Sequence, residues 1–219
     1  MTSMRETNLS YRDGEHPVHG TWLSVDVVAL TEDAGEARVV LIQRHGEPHR
    51  GATTLPGGLL AAWDGETVEQ AARRIIAEKA GTHITGGVVT VGVVSDPGRD
   101  ERGHTVSVVV AARVPAAVPG AVPAGAIPDG MPFGHTGMAG DALSTINGRL
   151  LTDPELTRAL LGDETTFPSV LALLRACGPV TESGARARWG RCSLYRRTTE
   201  MASGDGKAGR PTSIYRWSV

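Results

Sequence analysis

Apolar residues in this chain fall into two textures, strand-length runs first and helical stripes later. Leu23–Leu30 and Arg38–Arg44 are rich in Val, Leu and Ile. The acidic, Gly-containing stretch Thr31–Ala37 separates them, which predicts a hairpin-like pair of strands. A polar loop, Gly46–Thr54, leads through Leu55-Pro56-Gly57-Gly58 into a helical pattern over Glu69–Ala80. Val88–Val94 and Thr105–Val114 are nearly continuous in Val and Ala, as expected of strands covered on both faces. The Ala-, Pro- and Gly-rich segment Pro115–Pro132 reads as a flexible surface loop, and Gly137–Arg149 as a helix finishing this unit.

The second texture begins near Thr152. Asp153-Pro154 is a helix start with proline at the first helical position, leading into Glu155–Leu161 and ending at Gly162-Asp163. Pro168–Cys177 is a second helix, with Val170, Leu171, Leu173 and Leu174 as its apolar stripe. Thr181 is placed to cap a third. Arg191–Met201 reads as a further helix dense in cations, Gly204–Pro211 as a Gly-rich turn, and Thr212–Trp217 as a strand. Helices followed by such a turn and a closing strand suggest a winged helix-turn-helix. The predicted class is α/β, with domains at 1–151 and 152–219 and no internal repeat.

Composition narrows the classes. At 219 residues the chain can hold one medium domain and a small one. It lacks an apolar run long enough to span a membrane, and Met1–Asn8 lacks the apolar core of a signal peptide. Cys177 and Cys192 form neither a metal nor a redox spacing. A cytoplasmic protein without a membrane partner is expected. The net charge of -2 hides an asymmetry. From Glu164 onward nine Arg or Lys face four acids, a balance of +5, which leaves -7 for the remainder. A basic tail on an acidic body points to a polyanion as the tail's partner.

The candidate chemistry lies around Glu69–Ala80. Leu55–Gly58, Glu66, Arg74, Ile76, Glu78 and Gly81 resemble the Nudix box, G-x5-E-x7-R-E-U-x-E-E-x-G-U, where U is bulky and apolar. The spacing from Gly58 to Glu66 is two residues longer than the pattern, and Ile75 and Lys79 stand where it has glutamates. Mg²⁺ is held by several oxygen ligands, and residues three and four apart on a helix share a face. With aliphatic Ile75 and cationic Lys79 there, Glu78 is left alone on that face. Diphosphate binding with little or no metal-assisted hydrolysis is therefore expected.

Asp96-Pro-Gly-Arg-Asp-Glu-Arg-Gly103 followed by Thr105-Val-Ser-Val resembles a signature of Nudix proteins that handle ADP-ribose, with Glu101 where that signature carries proline. Ile42–Gly51 resembles the same group's approach to the box. Arg99 and Arg102 are placed to engage a diphosphate in bidentate fashion. His45, His49 and His104 read as loop residues, not metal ligands. Phe167, Ser193–Arg197, Gly209-Arg210-Pro211 and Tyr215-Arg216-Trp217 resemble the tail of the NrtR family of bacterial Nudix-related transcriptional regulators.

That resemblance implies a Nudix α/β/α sandwich with a mixed sheet, followed by a C-terminal winged helix that binds double-stranded operator DNA. It implies a repressor of NAD-related metabolism, acting as a homodimer, with ADP-ribose or a related nucleotide diphosphate as effector and no required cofactor. The ligand residues it points to are Arg44, Gly57, Gly58, Glu66, Arg74, Glu78, Lys79, Arg99 and Arg102, with no catalytic or metal-binding residue. The DNA-binding candidates are Arg191, Ser193, Tyr195, Arg196, Arg197, Lys207 and Arg210. Two alternatives stay open. One is an active ADP-ribose pyrophosphatase with an appended interaction domain. The other is a DNA-binding protein whose Nudix fold serves only as a dimerisation scaffold.

Overall fold

The computed structural model describes residues 11–13, 16–18, 20–116, 118–202 and 212–219. Strands β1 (Tyr11–Asp13) and β2 (His16–Val18) pair antiparallel. The body then runs β3 (Trp22–Asp33), β4 (Glu36–Val40), β5 (Ile42–Gln43), β6 (Thr53–Thr54), β7 (Gly57–Leu59), α1 (Val68–Ala80), β8 (Val88–Val94), β9 (Thr105–Arg113), β10 (Ala121–Pro123) and α2 (His135–Arg149).

The main sheet is mixed, in the order β10-β4-β3-β9-β8 with β7 also paired to β3. Only the β3–β9 pairing is parallel within it. Ala34 and Gly35, with φ of 49° and 78°, make the two-residue turn from β3 to β4, as a primed hairpin turn requires.

Alternation along β3 builds two cores. Val25, Val27 and Ala29 pack with Ala71, Ala72, Ile75 and Ile76 of α1. Val28 and Leu30 point the other way, into a cluster with Met138, Leu143 and Ile146 of α2. Each fully buried Val or Ile contributes about 1.5–3 kcal/mol over leaving it in water. A capping box between Thr67 and Gln70 starts α1, and Gly81, left-handed at φ 63°, ends it.

The rest of the chain is α3 (Pro154–Leu161), β11 (Glu164–Thr166), α4 (Phe167–Cys177), α5 (Glu182–Gly190), β12 (Tyr195–Ala202) and β13 (Thr212–Trp217). The strands form an antiparallel sheet in the order β11-β13-β12. Asp153, Thr166 and Thr181 cap the three helices through side-chain oxygens. The cluster beneath α2 continues across 151/152 into Leu156, Leu160, Val170 and Leu174, so the C-terminal elements share a core with the sheet. Arg113 of β9 also donates to the Leu161 carbonyl at 3.1 Å.

Three expectations need correction. The cation-dense helix expected over Arg191–Met201 is instead the turn after α5 and strand β12. Tyr195, Thr198 and Thr199 are strand formers, and β12 pairs along β13. Pro115–Pro132 is not simply a surface loop. It supplies edge strand β10 against β4, and Met131 is buried. Strand β8 is not covered on both faces, because it lies at the sheet edge with Thr90 and Val93 exposed. Cys177 is buried, which pushes its thiol up to about 12.

Candidate ligand-binding site

One end of β3, the Leu55–Leu59 segment, the C-terminal half of α1 and the Asp96–Thr105 loop enclose a cavity of about 370 Å³. Its floor is polar because the face of β3 that carries Val28 and Leu30 continues as Ser24 and Asp26. Asp26 is 3% exposed, and its Oδ1 lies 3.3 Å from Nε2 of buried His135, the first residue of α2. The Leu55 amide donates to His135 Nδ1 at 3.0 Å, which assigns the ring proton to the nitrogen facing Asp26. Ser24 Oγ donates to Asp26 Oδ2 and lies 2.5 Å from Ser107 Oγ, its register partner on β9. Burial pushes the Asp26 carboxyl up, but His135, Ser107 and Arg99 together bring it below its ordinary range. A Cβ on Gly57 would stand 1.9 Å from Asp26 Oδ1, so only glycine fits there.

The walls are cationic. Lys79 donates to the Gly57 carbonyl. Burial of its ammonium, and then the Arg44 charge, hold its pKa below the usual lysine value. Arg44 donates to the Pro48 and Glu47 carbonyls and lies 4.8 Å from the Phe133 ring centre. Arg102 clamps Asp100 through 2.8 and 2.6 Å bonds. Arg99 donates to Phe133 O, Thr105 O and Ser107 Oγ, while its buried Nε has no partner among the described residues.

Arg74 donates to Glu66 through two bonds of 2.6 and 2.8 Å and to the Leu59 carbonyl. Glu66 also accepts from the Ala61 amide at 2.8 Å. The Arg74 bonds, and then the Ala61 amide, take its carboxyl down to about 2. Both Glu66 oxygens are therefore committed to holding the turn ahead of α1. Glu78 points outward with its side chain 58% exposed, 3.5 Å from Arg74.

Such a donor set does not suit a divalent cation. Ile75 is fully buried in the α1 core, Lys79 brings an ammonium, and the two pocket acids, Asp26 and Asp100, are held by His135 and Arg102. Among the described residues no three of His, Cys, Asp and Glu converge as ligands would.

A family model for the NUDIX domain matches residues 20–129, half of the chain. The chain belongs to the Nudix family. An ADP-ribose pyrophosphatase of Methanocaldococcus jannaschii is 43% identical over 72 residues, which cover 33% of this chain and 41% of that relative. Beyond the Nudix domain the likeness extends in fold. The structure of Shewanella oneidensis NrtR complexed with a 27mer DNA superposes with TM-score 0.65 at 22% identity, over 90% of this chain and 93% of that one. A MutT/nudix family protein from Enterococcus faecalis gives 0.66 at 20% identity, over 92% and 89%.

Of the ligand candidates, Arg44, Gly57, Gly58, Arg74, Lys79, Arg99 and Arg102 line the Nudix cavity, whereas Glu66 and Glu78 do not. Sequence reasoning missed Asp26, Ser24, Ser107, Phe133 and His135. The legible signal was Ser24 and Asp26 interrupting an apolar strand. Among the DNA-binding candidates, Arg191 is the C-cap of α5, Ser193 lies in the following turn, and Arg196 and Arg197 are exposed on β12. Tyr195 is corrected. Its ring is buried between Trp189 and Trp217, and its hydroxyl donates to the Gly162 carbonyl, so it faces the core instead of solvent. Lys207 and Arg210 lie outside the described residues.

Proposed function

We propose that this chain is a ligand-responsive transcriptional regulator, a repressor of NAD-related genes. In this reading its Nudix cavity senses ADP-ribose or a related nucleotide diphosphate without hydrolysing it. The observation that carries the reading is the replacement of a metal-binding acid face by an arginine- and lysine-lined cavity, within a chain that continues into α3–β11–α4–α5–β12–β13. Guanidinium and ammonium groups recognise phosphate directly. Helix, strand, helix, helix and two pairing strands is the layout of a winged helix-turn-helix, and the likeness to the DNA-bound NrtR structure supports that reading.

In this reading α5 is the helix that enters the major groove. Arg186 and Arg191 stand on or beside it, and the exposed Arg196 and Arg197 of β12 meet the phosphate backbone. Two copies read two half-sites of a cytoplasmic operator as a homodimer. ADP-ribose then loosens operator binding by favouring a different arrangement of the reading heads, since equal affinity for both arrangements shifts nothing. A gel shift on DNA upstream of the chain's own gene, with and without ADP-ribose, tests this. Release of the DNA by ADP-ribose is expected. Operator affinity indifferent to saturating ADP-ribose rules out the effector.

The pyrophosphatase match and the retained Glu66, Arg74 and Glu78 favour a second reading, an active ADP-ribose pyrophosphatase. AMP release from ADP-ribose with Mg²⁺ or Mn²⁺ at enzyme-like rates would select it.

A further inference from the structure

The geometry points to Lys79 as a resident cation that takes the place of a divalent metal, so that this pocket binds a diphosphate group without any metal ion. The inference rests on the proposed reading of the cavity as an anion site, and it names what in that site neutralises the anion. Three observations carry it.

First, the acids that would compete for Lys79 are engaged elsewhere. Glu66 spends its oxygens on Arg74 and the Ala61 amide, and Glu78 turns outward beside Arg74. Second, Lys79 is anchored inward, not to a surface carboxylate. Its ammonium donates to the Gly57 carbonyl on the cavity wall, beside Gly58. An ammonium has three donors, and this one gives a single bond within the described residues, to Gly57. Third, the arginines around it are braced by the protein. Arg99 is held by Phe133, Thr105 and Ser107, Arg102 by Asp100, and Arg74 by Glu66. Lys79 thus keeps two of its three donors without a protein partner among the described residues, on a flexible stem that the braced guanidiniums lack.

Two probes test the inference on the full chain. Mn²⁺ alone, followed by electron paramagnetic resonance, asks whether a metal site exists. Inorganic diphosphate in excess EDTA, followed by isothermal titration, asks whether the anion binds without one. Wild-type protein is expected to show no specific Mn²⁺ site and to bind diphosphate in EDTA. Lys79→Gln is expected to weaken that binding about tenfold or more, the loss of one charge-assisted contact, with Lys79→Arg recovering part of it. Lys79→Glu is expected to abolish it in EDTA. Thermal melts of each variant confirm that it is folded.

A specific Mn²⁺ site on which diphosphate binding depends would overturn the inference. So would Lys79→Gln binding diphosphate as tightly as wild type, or no diphosphate binding in EDTA at all. If diphosphate binds through Lys79 while ADP-ribose does not bind, the nucleotide reading fails and this inference stands.

Discussion

Asp26 and Ser24 interrupt the apolar run of β3, and the buried Asp26 carboxylate meets His135 and Ser24 at the cavity floor. Removing it strands the Nε2 hydrogen of His135 in the interior and leaves the Ser24 hydroxyl with Ser107 alone, and an unpaired buried group costs about 1–3 kcal/mol. Asp26→Ala is therefore expected to destabilise the protein by about 3 kcal/mol, seen as a fall in the urea midpoint at unchanged slope. A midpoint within experimental scatter of wild type would show that the floor network is not structural.

Glu66 gives a second residue-scale test. Its folded pKa, about 2, is depressed from an ordinary 4.5. The stability it contributes is complete above 4.5 and is lost as pH falls from there toward 2. Glu66→Gln should be less stable than wild type at neutral pH, and the gap between the two should narrow below pH 4.5. A constant gap across that window would sink the assignment. Legibility at this scale follows sequence distance. The cationic lining and the missing metal acids could be read from local motifs. The pairing of Asp26 with His135 could not, because no pattern links a strand to a helix start so far along the chain.

Among the elements, helix caps were legible and the strand over Tyr195–Ala202 was not. Asp153 and Thr181 start their helices through hydrogen bonds to amides three residues on, a relation wholly local to the sequence. Over 191–201 the density of arginine, a good helix former, outweighed Tyr195, Thr198 and Thr199. Pairing with β13 decided for a strand. That change moves Arg196 from the helix expected over 191–201 to an exposed strand, opposite Arg216 in register. Both are exposed, but Arg216 is neutralised by Glu164 and Glu200 at 2.6 and 2.8 Å, which leaves Arg196 as the cation of that pair without an acidic partner among the described residues. Arg196→Ala is expected to weaken operator binding across sequences and to lower the slope of log affinity against log salt by about 1, as loss of one phosphate contact does. An unchanged slope would remove Arg196 from the interface.

At the scale of the whole molecule, α2 joins the two ends of the proposed mechanism. Its first residue, His135, sits on the cavity floor, and the helix extends about 22 Å at 1.5 Å per residue to the C-terminal elements. There Arg188 of α5 donates to Asn147 Oδ1 at 2.6 Å, to the Asn147 carbonyl at 2.5 Å and to the Leu150 carbonyl at 3.3 Å. Gly178, after α4, packs so close that a Cβ would come within 2.6 Å of Asn147 Nδ2. A ligand that displaces the His135 end of α2 thus acts on a helix whose other end is gripped by the proposed recognition helix. Coupling between two such sites is reciprocal and typically about 1–3 kcal/mol. Arg188→Ala opens the grip without touching the cavity. The variant is expected to bind ADP-ribose as wild type does and still to bind operator DNA, but with the ratio of operator affinities without and with ADP-ribose falling toward one. Arg188→Lys, which keeps the charge but not the planar fork, should fall between them. If the ratio stays at the wild-type value in a folded Arg188→Ala protein, the two sites communicate by a route that does not run through α2.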